Sequence, residues 1–210
     1  MKTFLLIITT LAITSFASSS KYEQQMLKHI EGLNKAESPE DFQMLTNAFE
    51  RIAKAEKDKW EPLYYGAYST LMWCYRISEI PEKDKLIDQA LEKINTAAEL
   101  DPQESEIVAL EGLAHMTRVT IDPASRGAQY SGLALQTYGK ALALNPKNPR
   151  AMLLMGQMQY GTAQFFGSDT SEACGLIEKA INEFETYRNN NPLAPVWGED
   201  LAKAALSRCQ

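Results

Sequence analysis

An all-α fold, a solenoid of about four stacked helical hairpins closed by a C-terminal capping helix, follows from three features of this 210-residue chain. Alanine returns at Ala48, Ala90, Ala134 and Ala180, at intervals of 42, 44 and 46 residues. A bulky apolar residue stands four positions after each, at Ile52, Ile94, Tyr138 and Phe184. Ala55, Ala97, Ala141 and Tyr187 come next, and Trp60, Pro102, Pro146 and Pro192 end each copy. Repetition at this length means hairpins packed side by side, because one hairpin cannot bury its apolar face alone.

The N-terminus reads as an export signal. Lys2 precedes the apolar run Phe4 to Ile13, and Ser15-Phe16-Ala17 puts small residues where a signal peptidase cuts. Ten apolar residues are too few to span a bilayer core of about 30 Å. The expected domains are a signal peptide over 1–17 and one helical repeat domain over 18–210. No cysteine follows the cleavage site, so a periplasmic or secreted protein is expected, peripheral to the membrane at most. Without Lys2 the chain carries 20 basic against 27 acidic residues, a surface that repels nucleic acid and anionic lipid.

Hairpins are expected near 21–57, 62–100, 104–144 and 148–188, with a closing helix near 196–209. Ser38-Pro39-Glu40-Asp41 supplies an N-cap, a first-turn proline and acids at the positive end of the helix dipole. Asn148-Pro149 repeats the device, and Asp169 with Glu172 has the spacing of a capping box. Pro102, Pro146 and Pro192 force the residues before them out of the α region and so end three helices.

These residues resemble the tetratricopeptide repeat (TPR) family. Its second helix carries alanine, a bulky residue four later, alanine three after that and proline five further on, as Ala134, Tyr138, Ala141 and Pro146 do. Its first helix carries a small residue ten positions after the proline, and Thr70, Gly112, Gly156 and Ala202 stand there. The resemblance implies close helix crossings at these small residues. It departs from the family in length: the surplus over a 34-residue repeat lies between the two helices, as longer helices or as larger loops over 77–86, 118–130 and 161–173. In a solenoid these emerge along one edge.

That edge holds the pointed chemistry. Arg76 and Arg118 occupy equivalent positions in adjacent copies, with Asp122 and Arg126 close by. Either the guanidiniums hold a carboxylate or phosphate, or they pair with Asp122, Glu79 and Glu82 to order the loops. Phe165 and Phe166 precede Gly167 and either line a pocket or plug the segment onto the core. By register the first helices present Tyr64, Ala67, Leu71 and Cys74, then Glu106, Ala109, Leu113 and Met116, then Arg150, Leu153, Gln157 and Tyr160 to a concave groove. That groove accepts an amphipathic segment or a lipophilic molecule, or is filled by the protein's own N-terminal helix.

Cys174 and Cys209 are equidistant from the Asn191-Pro192 turn, so antiparallel helices folded there bring them together as a disulfide. Cys74 is left as a small buried residue. With His29 and His115 as its only histidines, the sequence carries no zinc-ligand spacing, and no nucleophile elbow or phosphate loop. A Cys74 and His115 pair is geometrically open in adjacent helices but has no third orienting group. No enzyme, cofactor or metal is expected. The resemblance implies a periplasmic or secreted interaction scaffold with a protein or peptide partner. The alternative is a binder of an acidic or lipophilic small molecule, similar to the periplasmic TPR proteins that accompany some solute transporters.

Overall fold

A computed structural model describes residues 20–187 and 189–209; the expected signal peptide over 1–17 lies outside them. Nine α-helices are present among the described residues: α1 Lys21–Leu33, α2 Pro39–Ala55, α3 Glu61–Cys74, α4 Ile80–Leu100, α5 Ser105–Ile121, α6 Pro123–Leu144, α7 Pro149–Phe166, α8 Ser171–Thr186 and α9 Glu199–Leu206. A 3₁₀ turn, Ser207–Cys209, follows. Consecutive helices pair as antiparallel hairpins, and α1, α3, α5 and α7 also touch along one layer, the arrangement of a solenoid.

The local signals act as their chemistry requires. Ser38 accepts from the Asp41 amide while Asp41 accepts from the Ser38 amide, a reciprocal box with Pro39 in the first turn. Asn148 accepts from the Ala151 amide ahead of Pro149. The box expected of Asp169 and Glu172 does not form. Gly167, in the left-handed region at φ 66°, ends α7, and Asp169 folds back to accept from the amide and hydroxyl of Ser171.

The alanines lie at the crossings. Ala90, Ala134 and Ala180 are fully buried and Ala48 is 3% exposed. A Cβ at Gly112 would lie 2.3 Å from the Tyr138 ring, and one at Gly156 would lie 2.8 Å from Ile177. Thr70 keeps its hydroxyl there by donating to the Gly66 carbonyl at 2.8 Å. The bulky positions fill the space between hairpins: Ile94 and Tyr138 are almost fully buried, worth about 1.5–3 kcal/mol for a residue such as Ile94.

The extra length of each repeat is mostly helix. α4 has 21 residues and α6 has 22, and α5 turns into α6 through Asp122 alone. The expected 118–130 loop is therefore two helix ends, with Asp122 capping α6 by accepting from the Ser125 amide.

Candidate functional site

The concave groove is partly filled, and by a segment other than the N-terminal helix, which leaves a recess of about 430 Å³ between α1, α3 and that segment. Residues 189–198, between α8 and α9, cross the inner faces of α3, α5 and α7. Tyr65 donates to the carbonyls of Leu193 and Ala194 at 3.1 and 3.0 Å, and the Trp197 indole donates to the Tyr64 hydroxyl at 3.0 Å. Trp197 stacks on Tyr68 with centroids 4.7 Å apart. Asn191 donates to Glu61, whose other oxygen accepts from Tyr22. The segment ends at Gly198, where φ is 117° and a Cβ would meet Phe184 at 2.6 Å, so glycine is required twice over.

Arg150 anchors this strap. Its Nε donates to Glu106 at 2.6 Å and its Nη1 to the Trp197 carbonyl at 2.9 Å, with both charged side chains 1–2% exposed. Burial works against the Arg150 charge, but attraction to Glu106 and the hydrogen bond that Glu106 accepts outweigh it and hold the guanidinium protonated. The rings of Tyr187, Phe184 and Trp197 surround it at 5.1 to 5.8 Å.

The edge arginines are engaged within the protein. Arg126 grips Asp84 with both terminal nitrogens at 2.6 and 2.8 Å, and Arg118 donates to Asp84 at 3.1 Å and to Asp88. The Arg126 hydrogen bond holds the Asp84 carboxyl below its usual range. Their partners lie on α4, a neighbouring helix, in place of Asp122, because the α4 carboxylates face α5 and α6 across the hairpin boundary. Arg76 likewise bypasses Glu79 and Glu82. It donates to the carbonyls of Glu37 and Met72 and lies 4.0 Å above the Phe42 ring.

Cys174 and Cys209 are disulfide-bonded with Cα atoms 5.8 Å apart, tying the start of α8 to the chain's end. Cys74 is buried, donates weakly to the Lys83 carbonyl, and has its thiol pushed up to about 11 by burial. His115 turns towards Glu111 and stacks with Tyr130, so thiol and imidazole do not pair.

An open cavity of about 410 Å³ lies where α5, α6 and α7 converge on the outer edge. That falls within the roughly 300–1,000 Å³ of small-molecule sites. Met116 and Val119 of α5, the small residues Ala124, Gly127 and Ala128 of α6, and Met158, Gly161 and Phe165 of α7 line it, and no charged side chain does. Phe165 and Phe166 are 69% and 73% exposed, edge to face with each other at the cavity margin, and are not plugged onto the core. A Cβ at Gly127 or Gly161 would meet nothing within 4 Å, so backbone forms parts of this wall.

Tyr160 points elsewhere. With Gln157, Gln164 and Arg208 it lines a second, polar recess of about 660 Å³. Its hydroxyl donates to the Arg208 carbonyl at 2.8 Å and accepts from Gln164 at 2.9 Å. Of the sequence candidates, the structure brings Phe165 and Phe166 to one cavity and Tyr160 to the adjoining one. Arg118, Asp122 and Arg126 border neither, and Arg76 borders the separate recess of about 430 Å³ beside Val196 and Trp197. Met158 and Gly161 escaped sequence reasoning, although their spacing of three, with Phe165 four further on, marks an apolar stripe along α7.

The chain is similar to a haemophore. The HusA haemophore from Porphyromonas gingivalis superposes with a TM-score of 0.81 at 28% identity, over 91% of this chain and 94% of that one. A thermophilic TPR protein of Thermus thermophilus shares the fold, with a TM-score of 0.54 at 16% identity, over 89% of this chain and 97% of that one. No family model matches the sequence, and no curated protein matches it.

Proposed function

We propose that this chain is an exported binding protein for a flat, apolar-bodied small molecule of the tetrapyrrole class, haem among them, held in the α5–α6–α7 cavity. The observation that carries this reading is an uncharged cavity with an exposed aromatic margin, on a chain similar along nearly its whole length to a haemophore. Glycine and alanine on α6 leave room for a planar face, and Phe165 and Phe166 stand where they would cover its edge. The cavity lining holds no imidazole, thiol or phenol; Met116 and Met158 are its soft donors. Binding therefore relies on apolar and stacking contact with the ring, and the iron-free porphyrin is expected to bind as well.

Export is supported by the Lys2 to Ala17 sequence and by the Cys174–Cys209 disulfide, a bond of oxidising compartments. The scaffold reading calls for a concave groove open to a partner's segment, and residues 189–198 occupy part of that groove.

Titration of the mature protein with protoporphyrin IX and with haemin, followed by porphyrin fluorescence and absorbance, tests the reading. Saturable one-to-one binding of both is expected. Replacing Phe165 and Phe166 together with alanine should weaken it about thirtyfold or more, at 1–3 kcal/mol per stacked ring. Thermal stability should hardly move, since both rings are largely exposed. No saturable binding of either porphyrin would remove the proposal.

A further inference from the structure

Building on the tetrapyrrole reading, we infer that the bound molecule is an acid whose carboxylates leave the apolar cavity over Gly161 and meet Arg208 in the adjoining recess. The cavity offers a carboxylate no counter-charge: its lining contains no cation, only the neutral side chains of Thr120, Ser131, Gln157 and Thr162 among its polar groups, and a desolvated, unpaired carboxylate is strongly disfavoured. A ligand carrying acid groups must turn them towards water or a cation. The edge arginines are not available for this, because Arg118 and Arg126 are committed to Asp84 and Asp88.

The two cavities have Gln157 and Gly161 in common. Both belong to α7, so the helix forms the ridge between the apolar side and the polar side. At Gly161 that ridge carries no side chain, and a Cβ there would meet nothing within 4 Å. Glycine in a helix interior costs about 1 kcal/mol relative to alanine. Here it leaves the ridge bare of a side chain at the point the two cavities share.

Beyond the ridge the recess is polar and carries one cation, Arg208. No carboxylate pairs with this guanidinium among the described residues. The backbone that bears it is fixed twice: its carbonyl accepts from Tyr160, and the next residue, Cys209, is disulfide-bonded to Cys174. Gln157 and Gln164 flank it with amide donors. The arrangement suits an amphiphilic acid with a planar apolar body, gripped by its ring on one side of α7 and by its charge on the other.

Protoporphyrin IX and its dimethyl ester, delivered from the same solvent, separate the two contributions because they differ only in the carboxylates. The wild-type protein should bind the diacid about fivefold more tightly than the diester, as expected of a partly exposed ion pair. That preference should shrink at high salt. Arg208→Ala should bind both alike, at the wild-type level for the diester, with an unchanged melting temperature. A wild-type protein with no preference, or an Arg208→Ala variant that keeps it, overturns the inference while leaving porphyrin binding in place. Failure of both porphyrins to bind removes this inference together with the reading beneath it.

Discussion

The inner and outer edges of this solenoid treat polar groups in opposite ways. On the inner face, residues 189–198 lie against α3 and α7: Tyr65 and Arg150 donate to strap carbonyls, and Tyr64 and Glu61 accept from Trp197 and Asn191. On the outer edge, the α5–α6–α7 cavity has no charge, and its largest rings stand in solvent. Most of the strap's polar contacts are thus made within the protein, with Glu106 Oε1 and Arg150 Nη2 left as buried atoms without a partner among the described residues. Exposed aromatic surface beside an uncharged cavity is the kind of feature that marks a binding site. On the proposed reading, recognition lies on the far edge, although the concave side is where the repeat resemblance directs attention first.

The comparison breaks most readily at the Arg150–Glu106 pair. Glu106→Ala should cost about 3–5 kcal/mol by leaving a buried guanidinium uncompensated. Replacing both residues with apolar ones of similar size should cost much less, as urea unfolding of the single and double variants would reveal. An equal loss in both would mean that the strap's carbonyl contact, not the charge pair, dominates. The next largest effect is at the terminal crosslink. Substituting Cys174 and Cys209 by serine should lower stability by about 3–4 kcal/mol for a closed loop of this size, read from the shift in the same unfolding curves. Smallest is the edge pairing at Asp84. Because Arg126 holds this carboxyl below its ordinary value, its stabilisation is present above about pH 4 and is lost as pH falls through the lowered value. Asp84→Asn should cost about 1 kcal/mol at neutral pH. Near pH 2 the difference from the wild type should shrink, which melting curves at the two pH values would measure.

The repeat was legible because its determinants are local. A small residue where backbones cross, a bulky one a turn away and a proline past the helix end each act within a few positions, and Ala134, Tyr138 and Pro146 perform those roles in the structure. The strap was not legible. Its residues have no helical or alternating period, and its partners lie far off: Tyr65 reaches Leu193 across 128 positions and Trp197 reaches Tyr64 across 133. Arginine pairing is hidden for the same reason. Asp122 is near Arg118 and Arg126 in sequence, but the hairpin stacking brings Asp84, 34 and 42 positions away, into bidentate reach. At the candidate site, Phe165 and Phe166 announced themselves as adjacent aromatics before a glycine. Gly161 did not, because a missing side chain acquires meaning only once the cavities on either side of it are known.

An open solenoid behaves as a spring, since each hairpin touches only its neighbours and small rotations accumulate along the stack. This one is strung like a bow. The strap is fastened to α3 through Tyr64 and Tyr65 and to α7 through Arg150, which itself grips α5 through Glu106. Three successive hairpins are thereby tied together on the inside as well as by their own packing, so a change at the strap would be felt in the spacing of α5 and α7 that shapes the opposite edge.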